Sequence, residues 1–542
     1  MVTLTKPPIT IPTPQANSNR RLCYIKPMIR SFLTVSTGTL ASRLLGFARD
    51  AMVAALLGAG PVADAFLVAF QLVNVVRRLL TEGALNNALV PIWLSVKEAK
   101  GPVAASAFAG RVLGTISTAL IAATAAAGLL MPWIITALAP GFAGESTLHL
   151  AVDDARLMLP YLAFAGPATV TMALLNAQGR FALTAFAPLL FNGALIAVMI
   201  VLVFKRWDAS DAALAIATTV GIAGLLQLLI LIARSRGSHF ATPLRVTFDS
   251  EMRSFVAKAL PGMIAGAGPQ LLIVAGAIVA SGSPSAVSWL YFANRLIELP
   301  LGIVSVAIGA VLVPELARAV HAEDIHATTQ AESRGLELAI GLALPATLGL
   351  MALSEPVVRL LFEHGAFTAS DAAVTAHALM WLALGLPAQV LIKALSPAFF
   401  ARGDTVTPLW ATLKGLAVTI VLAIVLGRLF DVRGIAAAIA LGAWSGALLL
   451  IRNGFTTFGF SIDPMARQRL PRIVAAALIM GGLLWLSAPF VLAWGGNESG
   501  PLHFFKVAAL IAGGMAGYGL FLALFGVLRW VDAIQALRQS GA

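Results

Sequence analysis

The sequence predicts an all-α membrane protein with about fourteen transmembrane helices. Two six-helix lobes are expected to form a parallel internal repeat around a central cavity, followed by two C-terminal helices. Three observations support this fold class. The chain is 59% hydrophobic and only 11% charged over 542 residues, a balance that soluble domains do not have. Apolar segments of spanning length recur along the chain, and short sequence matches recur at a constant spacing.

The helices are predicted from apolar segments of about 20 residues or more, the length that a bilayer requires. They lie near 31–58, 65–96, 105–138, 155–178, 184–204, 212–233, 255–280, 286–316, 335–362, 372–401, 406–427, 434–458, 472–494 and 504–529. An even number of spans places both termini on one side. The loops on that side hold most of the Lys and Arg residues, which assigns the side, and both termini, to the cytoplasm.

Matching helix ends indicate the internal repeat. Val90-Pro91 closes helix 2 and Val313-Pro314 closes helix 8, 223 residues later. The chain is therefore expected to divide into a disordered cytoplasmic tail rich in Pro and Thr, two lobes and a C-terminal pair of helices. The predicted bounds are 1–27, 28–245, 246–460 and 461–542. Two lobes with the same orientation are expected to enclose a substrate site at their interface.

Composition also excludes several function classes. Cys23 is the single cysteine, so neither a disulfide framework nor a cysteine metal site is expected. The formal net charge of +12 is attributed to basic cytoplasmic loops and not to nucleic-acid binding. The sequence contains no glycine-rich phosphate loop, H-E-x-x-H or G-x-S-x-G motif, so we expect no enzyme and no ATP-driven transport by this chain alone. No cleaved signal peptide, metal or cofactor is predicted.

Charged residues inside helices 1 and 2 are the strongest functional signal. Each costs roughly 2.5–3.5 kcal/mol at a bilayer centre on insertion scales. The group consists of Arg43, Arg49, Asp50, Arg77, Arg78 and Glu82. Helix 8 adds Arg295 and Glu298, three residues apart on one face, and helix 10 adds Lys393. Such groups are typical of a water-filled cavity inside the helical bundle.

The intramembrane cations outnumber the acids by about three, which favours an anionic ligand, and arginine forks suit phosphate oxygens. An alternative remains open, in which each arginine neutralises a nearby acid and only locks helices together. Arg78 and Glu82, four residues apart, could pair in this way. Asp64 is interpreted equally well as an outer gate or as a helix N-cap. Asn74 is interpreted as a ligand or as a helix–helix hydrogen bond.

Several motifs together resemble the bacterial MurJ/MviN family of lipid II flippases, within the multidrug/oligosaccharidyl-lipid/polysaccharide exporter superfamily. They are SRLLGFARD, GAGPVADAFLVAF, NVVRRLLTEGALNNALVP, ANRLIELPLGIVSVAIGAVLVPEL, FEHGAFTASDA and AFFARGDTVTPL. The resemblance spans about residues 30–460. It implies a multi-pass protein of the bacterial inner membrane, which moves lipid II to the outer leaflet by alternating access for peptidoglycan synthesis. It also implies that helices 13 and 14 form a groove for the polyprenyl tail.

The resemblance further implies roles for individual residues. Arg43, Arg49 and Arg295 match the family's diphosphate-binding arginines. The family's cavity charges correspond to Asp50, Arg78 and Glu82, with acids such as Glu82 and Glu298 expected to pair with arginines and close the inner gate. Asp64 matches an acid near the outer gate, and Asn74 is a further substrate-binding candidate.

The chain departs from the family pattern at a few positions. Asn294 stands where many members have an acid before the helix 8 arginine, and Val73 replaces a proline. Helices 7, 11 and 12 offer Gln270 but no acid, so the sodium site of some members is not expected here. Membrane potential or an ion gradient could drive transport. Membrane lipids are expected partners, cell-wall synthesis proteins are candidates, and nucleic acid is not expected.

Three rival functions stay open at this point. The first is export of another polyprenyl-diphosphate-linked glycan, or of a small cation, by another member of the same superfamily, although a cation exporter would need surplus acid in its cavity. The second is a membrane enzyme acting on polyprenyl phosphates, which would need clustered carboxylates in its outer loops. The third is a non-transporting scaffold of the cell-wall machinery.

Overall fold

The computed structural model describes most of the chain, with gaps mainly at the termini and around residues 236–266. The described residues are 37–38, 40–81, 84–178, 180–235, 241, 244–247, 252–253, 256–257, 260, 264–265, 267–494 and 500–527. The predicted tail 1–27, the start of helix 1 and much of the first half of helix 7 lie outside them.

Every regular element of more than one turn in the described part is helical. In the first lobe the helices are α1 (40–57), α2 (Pro61–Thr81), α3 (Ala84–Leu138), α4 (Ser146–Met158), α5 (Pro160–Ala177), α6 (Phe181–Lys205) and α7 (Ala209–Ser235). A short 3₁₀ turn, Pro140–Phe142, joins α3 to α4.

The second lobe follows the same pattern and is extended by two further helices. Its helices are α8 (Gly268–Ala280), α9 (Ala286–Ala307), α10 (Val313–His321), α11 (Ile325–Ala352), α12 (Ser354–Phe362), α13 (Ala369–Ala383), α14 (Leu386–Ala401) and α15 (Val406–Phe458). A π-helical turn, Ile308–Leu312, connects α9 to α10. The C-terminal pair consists of α16 (Pro464–Ala493) and α17 (Pro501–Leu524).

Breaks inside the long helices reconcile these elements with the predicted spans. Nine helices in the described ranges are long and apolar enough to cross a membrane, or ten if α13 and α14, bent by 42°, form one span. The α15 helix of 53 residues would be about 80 Å long if straight. Its backbone leaves helical geometry at Phe430 and Asp431, and that of α3 does so at Gly101. The break at Phe430 and Asp431 divides α15 into two crossings, and the break at Gly101 divides α3 into the end of predicted helix 2 and predicted helix 3. This is consistent with fourteen spans, a number that stays a prediction.

The predicted connection between helices 2 and 3 corresponds to the break at Gly101, where φ is 84°. One predicted boundary was wrong, for a local reason. The fourth span begins at Ser146 and not near 155, because the polar first turns of α4 extend beyond its apolar part. Apolar runs mark where lipid begins, whereas helices extend further into the interfacial layer.

Two packed bundles form the predicted lobes. Helices α2 to α7 contact one another closely, as do α9 and α11 to α15, while α8 packs mainly against α15. Contacts between the bundles come chiefly from α2 and α3 on one side and α8 and α9 on the other. The α16 helix packs along α11, and α17 packs on α16. The lobes therefore meet along a narrow seam, and the polar residues of α1, α2, α8 and α9 lie at it.

Candidate functional site: a charged cavity between the lobes

A cavity of about 840 Å³ lies between the two lobes. Six cationic side chains but only one carboxylate belong to its wall within the described residues. The cations come from both lobes: Arg43, Arg49, Arg77, Arg78, Arg295 and Lys393. Glu298 is the carboxylate, and Asn74 also lies on the wall. The predicted excess of positive charge is therefore concentrated around one chamber.

Asp50 is the first of two anionic centres beside this chamber. Its side chain is only 1% exposed and accepts hydrogen bonds from Arg49, at 2.8 Å from Nε and 2.6 Å from Nη2. The Arg295 guanidinium of the opposite lobe forms an ion pair with the other oxygen of Asp50. Tyr291 donates a longer hydrogen bond of 3.4 Å. One buried carboxylate thus holds arginines from both lobes together.

Glu298 is the second anionic centre. Its Oε2 accepts from Arg78 Nη2 and from Arg295 Nη1, each at 2.7 Å. Its Oε1 accepts from Gln270 Nε2 at 2.8 Å and from Asn294 Nδ2 at 3.3 Å. The predicted Arg295–Glu298 pair is confirmed. Because Arg78 belongs to the first lobe, Glu298 also joins the two lobes. Residue spacing within one helix could not predict this inter-lobe pair.

Asn192 of α6 positions Arg49, although the sequence analysis did not single it out. Its Oδ1 accepts from Arg49 Nη1 at 3.0 Å, and its Nδ2 donates to the Ser42 carbonyl at 3.2 Å. The Phe70 ring lies 4.8 Å from Arg49 Cζ, a cation–π distance. The available signal was a single amide in the apolar run FAPLLFNGALIAV, where a buried polar group requires a partner.

Asn74 forms a hydrogen bond within its own helix, whereas the sequence analysis considered a bond to another helix. Its Oδ1 accepts from Arg77 Nη2 at 3.2 Å and from Nε at 3.3 Å, within the same helix. It therefore orients an arginine on the cavity wall and does not join two helices through this bond. Arg43 also reaches the chamber, where it lies against α9 at Gly302.

Asp64 joins the two lobes at the N-terminal end of α2. It lies in the first turn of α2, yet it accepts hydrogen bonds from the N-terminus of α9 in the opposite lobe. The Ser285 and Ser288 amides each donate at 2.8 Å, and the Ser288 hydroxyl donates as well. Asp64 is 2% exposed. Asp64 therefore caps α9, a helix of the opposite lobe, and not the helix that carries it, while its role as an outer gate stays a prediction.

Backbone contacts extend the same seam. The Ala366 amide, in the loop between α12 and α13, donates to the Ala55 carbonyl of α1 at 2.8 Å. The Gly141 amide donates to Ser281 Oγ at 3.0 Å. These bonds hold the two lobes together at this end of the interface, and the cavity lies deeper between the lobes.

Glu82 lies outside the described residues, so its predicted pairing with Arg78 and its gating role stay predictions. The local-pairing alternative holds for Arg49 with Asp50 and for Arg295 with Glu298. It does not account for Arg78–Glu298 or Arg295–Asp50, which cross between lobes. The arginines converge on a chamber, and they are not dispersed over separate local pairs.

An ionised cavity at the interface of two helical bundles, in a chain that is otherwise apolar, defines a membrane transporter of the alternating-access class. A sequence model of the family "Lipid II flippase MurJ" matches residues 53–504. The chain belongs to the lipid II flippase MurJ family, as its motifs indicated.

Relatives and solved structures agree with this assignment. A protein named "Probable lipid II flippase MurJ" from Rhizobium meliloti (strain 1021) is 38% identical over 92% of this chain and 94% of its own. "Lipid II flippase MurJ" of Burkholderia cenocepacia is 33% identical over 93% and 97%. The structure titled "Lipid II flippase MurJ, inward closed conformation" superposes with TM-score 0.75 at 22% identity, covering 93% of this chain and 100% of that one.

A multidrug transporter structure has a similar fold. An inward-facing multidrug resistance MATE family transporter of the MOP superfamily has TM-score 0.62 at 15% identity, over 82% of this chain and 98% of its own. The two-lobe, all-α membrane fold predicted from the sequence is confirmed. This family consists of transporters and not enzymes, which rules out the rival interpretation as a membrane enzyme.

Proposed function

We propose that this protein moves lipid II, the undecaprenyl-diphosphate-linked disaccharide-pentapeptide, from the inner to the outer leaflet of the bacterial cytoplasmic membrane by alternating access. The observation that carries the proposal is the convergence of arginines from both lobes on one cavity. Membership of the lipid II flippase family supports this substrate over another lipid-linked glycan. A cavity with surplus positive charge suits a diphosphate and disfavours a cationic drug.

The diphosphate is bound by Arg43, Arg49 and Arg295, which together form a diphosphate clamp. In the structure Arg49 and Arg295 form ion pairs with Asp50, and Arg295 also pairs with Glu298. Binding replaces these carboxylates with phosphate oxygens, to which guanidinium groups can donate in pairs. The anion then has a different affinity for the paired and unpaired arrangements of the two lobes. Such a difference is what a ligand needs to shift a conformational equilibrium.

The sugars and peptide occupy the neutral part of the cavity. Amide and hydroxyl side chains of the first lobe line it, namely Gln71, Thr169, Asn176, Thr184 and Gln227. These groups can donate and accept hydrogen bonds without competing for the diphosphate. The cavity volume lies within the range of about 300–1,000 Å³ that small-ligand sites have. The polyprenyl tail stays in the bilayer along residues 461–542, where α16 and α17 pack.

Orientation and gating follow from the charge distribution. Basic loops place both termini in the cytoplasm, so the Asp64 seal belongs to the outer gate and the cavity receives substrate from inside. Residues 28–245 and 246–460 move as the two lobes, and Glu82 and Glu298 close the inner side between transport events. The membrane potential can act on the net charge of the loaded cavity, at about 2.3 kcal/mol per elementary charge per 100 mV.

Lipid II binding by the purified protein tests the proposal. Alanine at Arg49 or Arg295 removes a charged hydrogen-bond donor worth about 1.5–3 kcal/mol, so affinity should fall about 10- to 100-fold. The matched control is Arg334→Ala, an exposed arginine paired with Glu315 outside the cavity, which should bind like the native protein.

A vesicle assay of headgroup exposure on the far leaflet should lose its signal in the same two variants and keep it in the control. Wild-type affinity and transport in both Arg49→Ala and Arg295→Ala would refute the diphosphate clamp. Binding without transport by the native chain would favour the scaffold function.

A further inference from the structure

The crossing of α1 and α9 contains two glycines that face arginines of the opposite lobe. A Cβ atom built on Gly302 of α9 would overlap the Arg43 guanidinium of α1, with Nη1 and Cζ as its nearest atoms. A Cβ atom on Gly46 of α1 would lie 2.7 Å from Arg295 Nη2 of α9. Each helix therefore provides an arginine and also the gap that receives the other helix's arginine.

Sequence spacing creates this reciprocity. Gly46 follows Arg43 by three residues, and Gly302 follows Arg295 by seven. Both intervals return to the same face of a helix. Both glycines are buried and line the cavity. The arginine and the gap are therefore side by side on the surface that each helix presents to the other lobe.

The backbone does not explain why glycine stands at these positions. Neither Gly46 nor Gly302 has positive φ, so any L-residue could adopt the conformation. Glycine is the least favourable residue in a helix interior apart from proline. Free space is the remaining explanation, and the group that fills the space is in each case a guanidinium.

Other buried glycines of the chain meet different neighbours. A Cβ atom on Gly276 would meet the Ile439 and Leu290 side chains, and one on Gly481 would meet Leu348. Those glycines permit close apolar packing between helices. Among the described glycines, the pair at the α1–α9 crossing is set apart because their nearest neighbours are cavity cations from the opposite lobe.

We propose that Gly46 and Gly302 are positioning residues for the diphosphate clamp, each reserving the place of one opposing arginine. This inference rests on the proposed function. An added methyl group would displace the guanidinium, the mobile end of a flexible side chain, and leave the helix packing intact. The arginines of the clamp would keep their charges, but the displaced guanidinium would no longer be in position for the diphosphate.

A double-mutant cycle on purified full-length protein tests the first pair, with lipid II as the probe. Gly302→Ala should weaken binding about tenfold, close to the effect of Arg43→Ala. In the Arg43→Ala background, Gly302→Ala should add less than twofold, because the glycine acts through that arginine. Gly309→Ala is the matched control, since nothing lies within 4 Å of a Cβ atom there. Melting temperatures should not fall in any of these variants, since alanine is more favourable than glycine in a helix interior.

The reciprocal cycle uses Gly46→Ala and Arg295→Ala. It provides the test if either variant of the first pair fails to fold. Additive effects in both cycles would show that the glycines act through helix packing, and would overturn the proposal. Wild-type affinity in Gly302→Ala and Gly46→Ala, together with weak binding in Arg43→Ala and Arg295→Ala, would overturn the positioning role alone. Wild-type affinity in both arginine variants would remove the clamp itself and this proposal with it.

Discussion

The proposed outer gate at Asp64 offers the sharpest test of how the lobes are held together. Asp64→Ala removes the carboxylate that accepts from two amides and one hydroxyl at the start of α9. Loss of an N-cap costs about 0.5–2 kcal/mol, and a hydrogen bond to a charged group contributes about 1.5–3 kcal/mol. Once the lobes separate, water can replace Asp64 as the acceptor for these donors. The substitution therefore raises the free energy of the closed state and not that of the open state.

A net destabilisation of about 2 kcal/mol changes the ratio of open to closed forms about 30-fold. If the outward-open form is about 1% of the native ensemble, it should rise to about one quarter. Spin labels at Glu145→Cys and Ala369→Cys, both exposed on the sealed side, would report this as a second, longer distance. The background is Cys23→Ser, which removes the single native cysteine.

The matched control is Asp153→Asn, which neutralises an exposed acid on α4 of the first lobe. It should keep the native distance distribution. An Asp64→Ala protein with the same single distance as the native chain would refute the view that this carboxylate holds the lobes closed.

Three further changes have distinct expected results. Arg49→Lys keeps the charge but loses the planar fork, so lipid II affinity should drop about tenfold; equal affinity in a binding assay would argue against paired phosphate contacts. Glu298→Gln removes the acid that competes for Arg295 and should tighten lipid II binding while slowing vesicle transport; weaker binding would contradict the exchange of partners. Arg402→Ala leaves Glu332 buried without its ion-pair partner and should destabilise the second lobe by about 3 kcal/mol, seen as a lower melting temperature with unchanged lipid II affinity. Parallel losses of both would assign Arg402 to the substrate site.

Sequence reasoning was most successful for features that depend on residues within a single helix. Membrane spans depend on local hydropathy, and the Arg295–Glu298 pair depends on a three-residue spacing, so both could be predicted. The fold and the gathering of arginines from both lobes at one cavity followed from the internal repeat. Family motifs strengthened the same conclusion.

Partners from different helices could not be predicted in this way. Nothing local to Asp64 shows that α9 begins beside it, and nothing in α6 shows that Asn192 meets Arg49. Arg78 pairs with Glu298, 220 residues away, although the nearby Glu82 was the natural expectation from helical spacing. These contacts depend on how the lobes are placed, which a single sequence does not encode in any short pattern.

The α9 helix connects the outer seal to the cavity. Its first turns donate to Asp64, its middle carries Arg295 and Glu298, and Gly302 receives Arg43. In the proposed mechanism, phosphate binding at the middle of α9 acts on the same helix whose N-terminus forms the proposed outer gate. A helix moves nearly as a rigid body over such a length, so replacing the Glu298 pairs with phosphate contacts can bias the seal without a separate relay. Coupling of this kind predicts that Glu298→Gln and Asp64→Ala interact non-additively in the spin-label distances, whereas independent gates would give additive shifts.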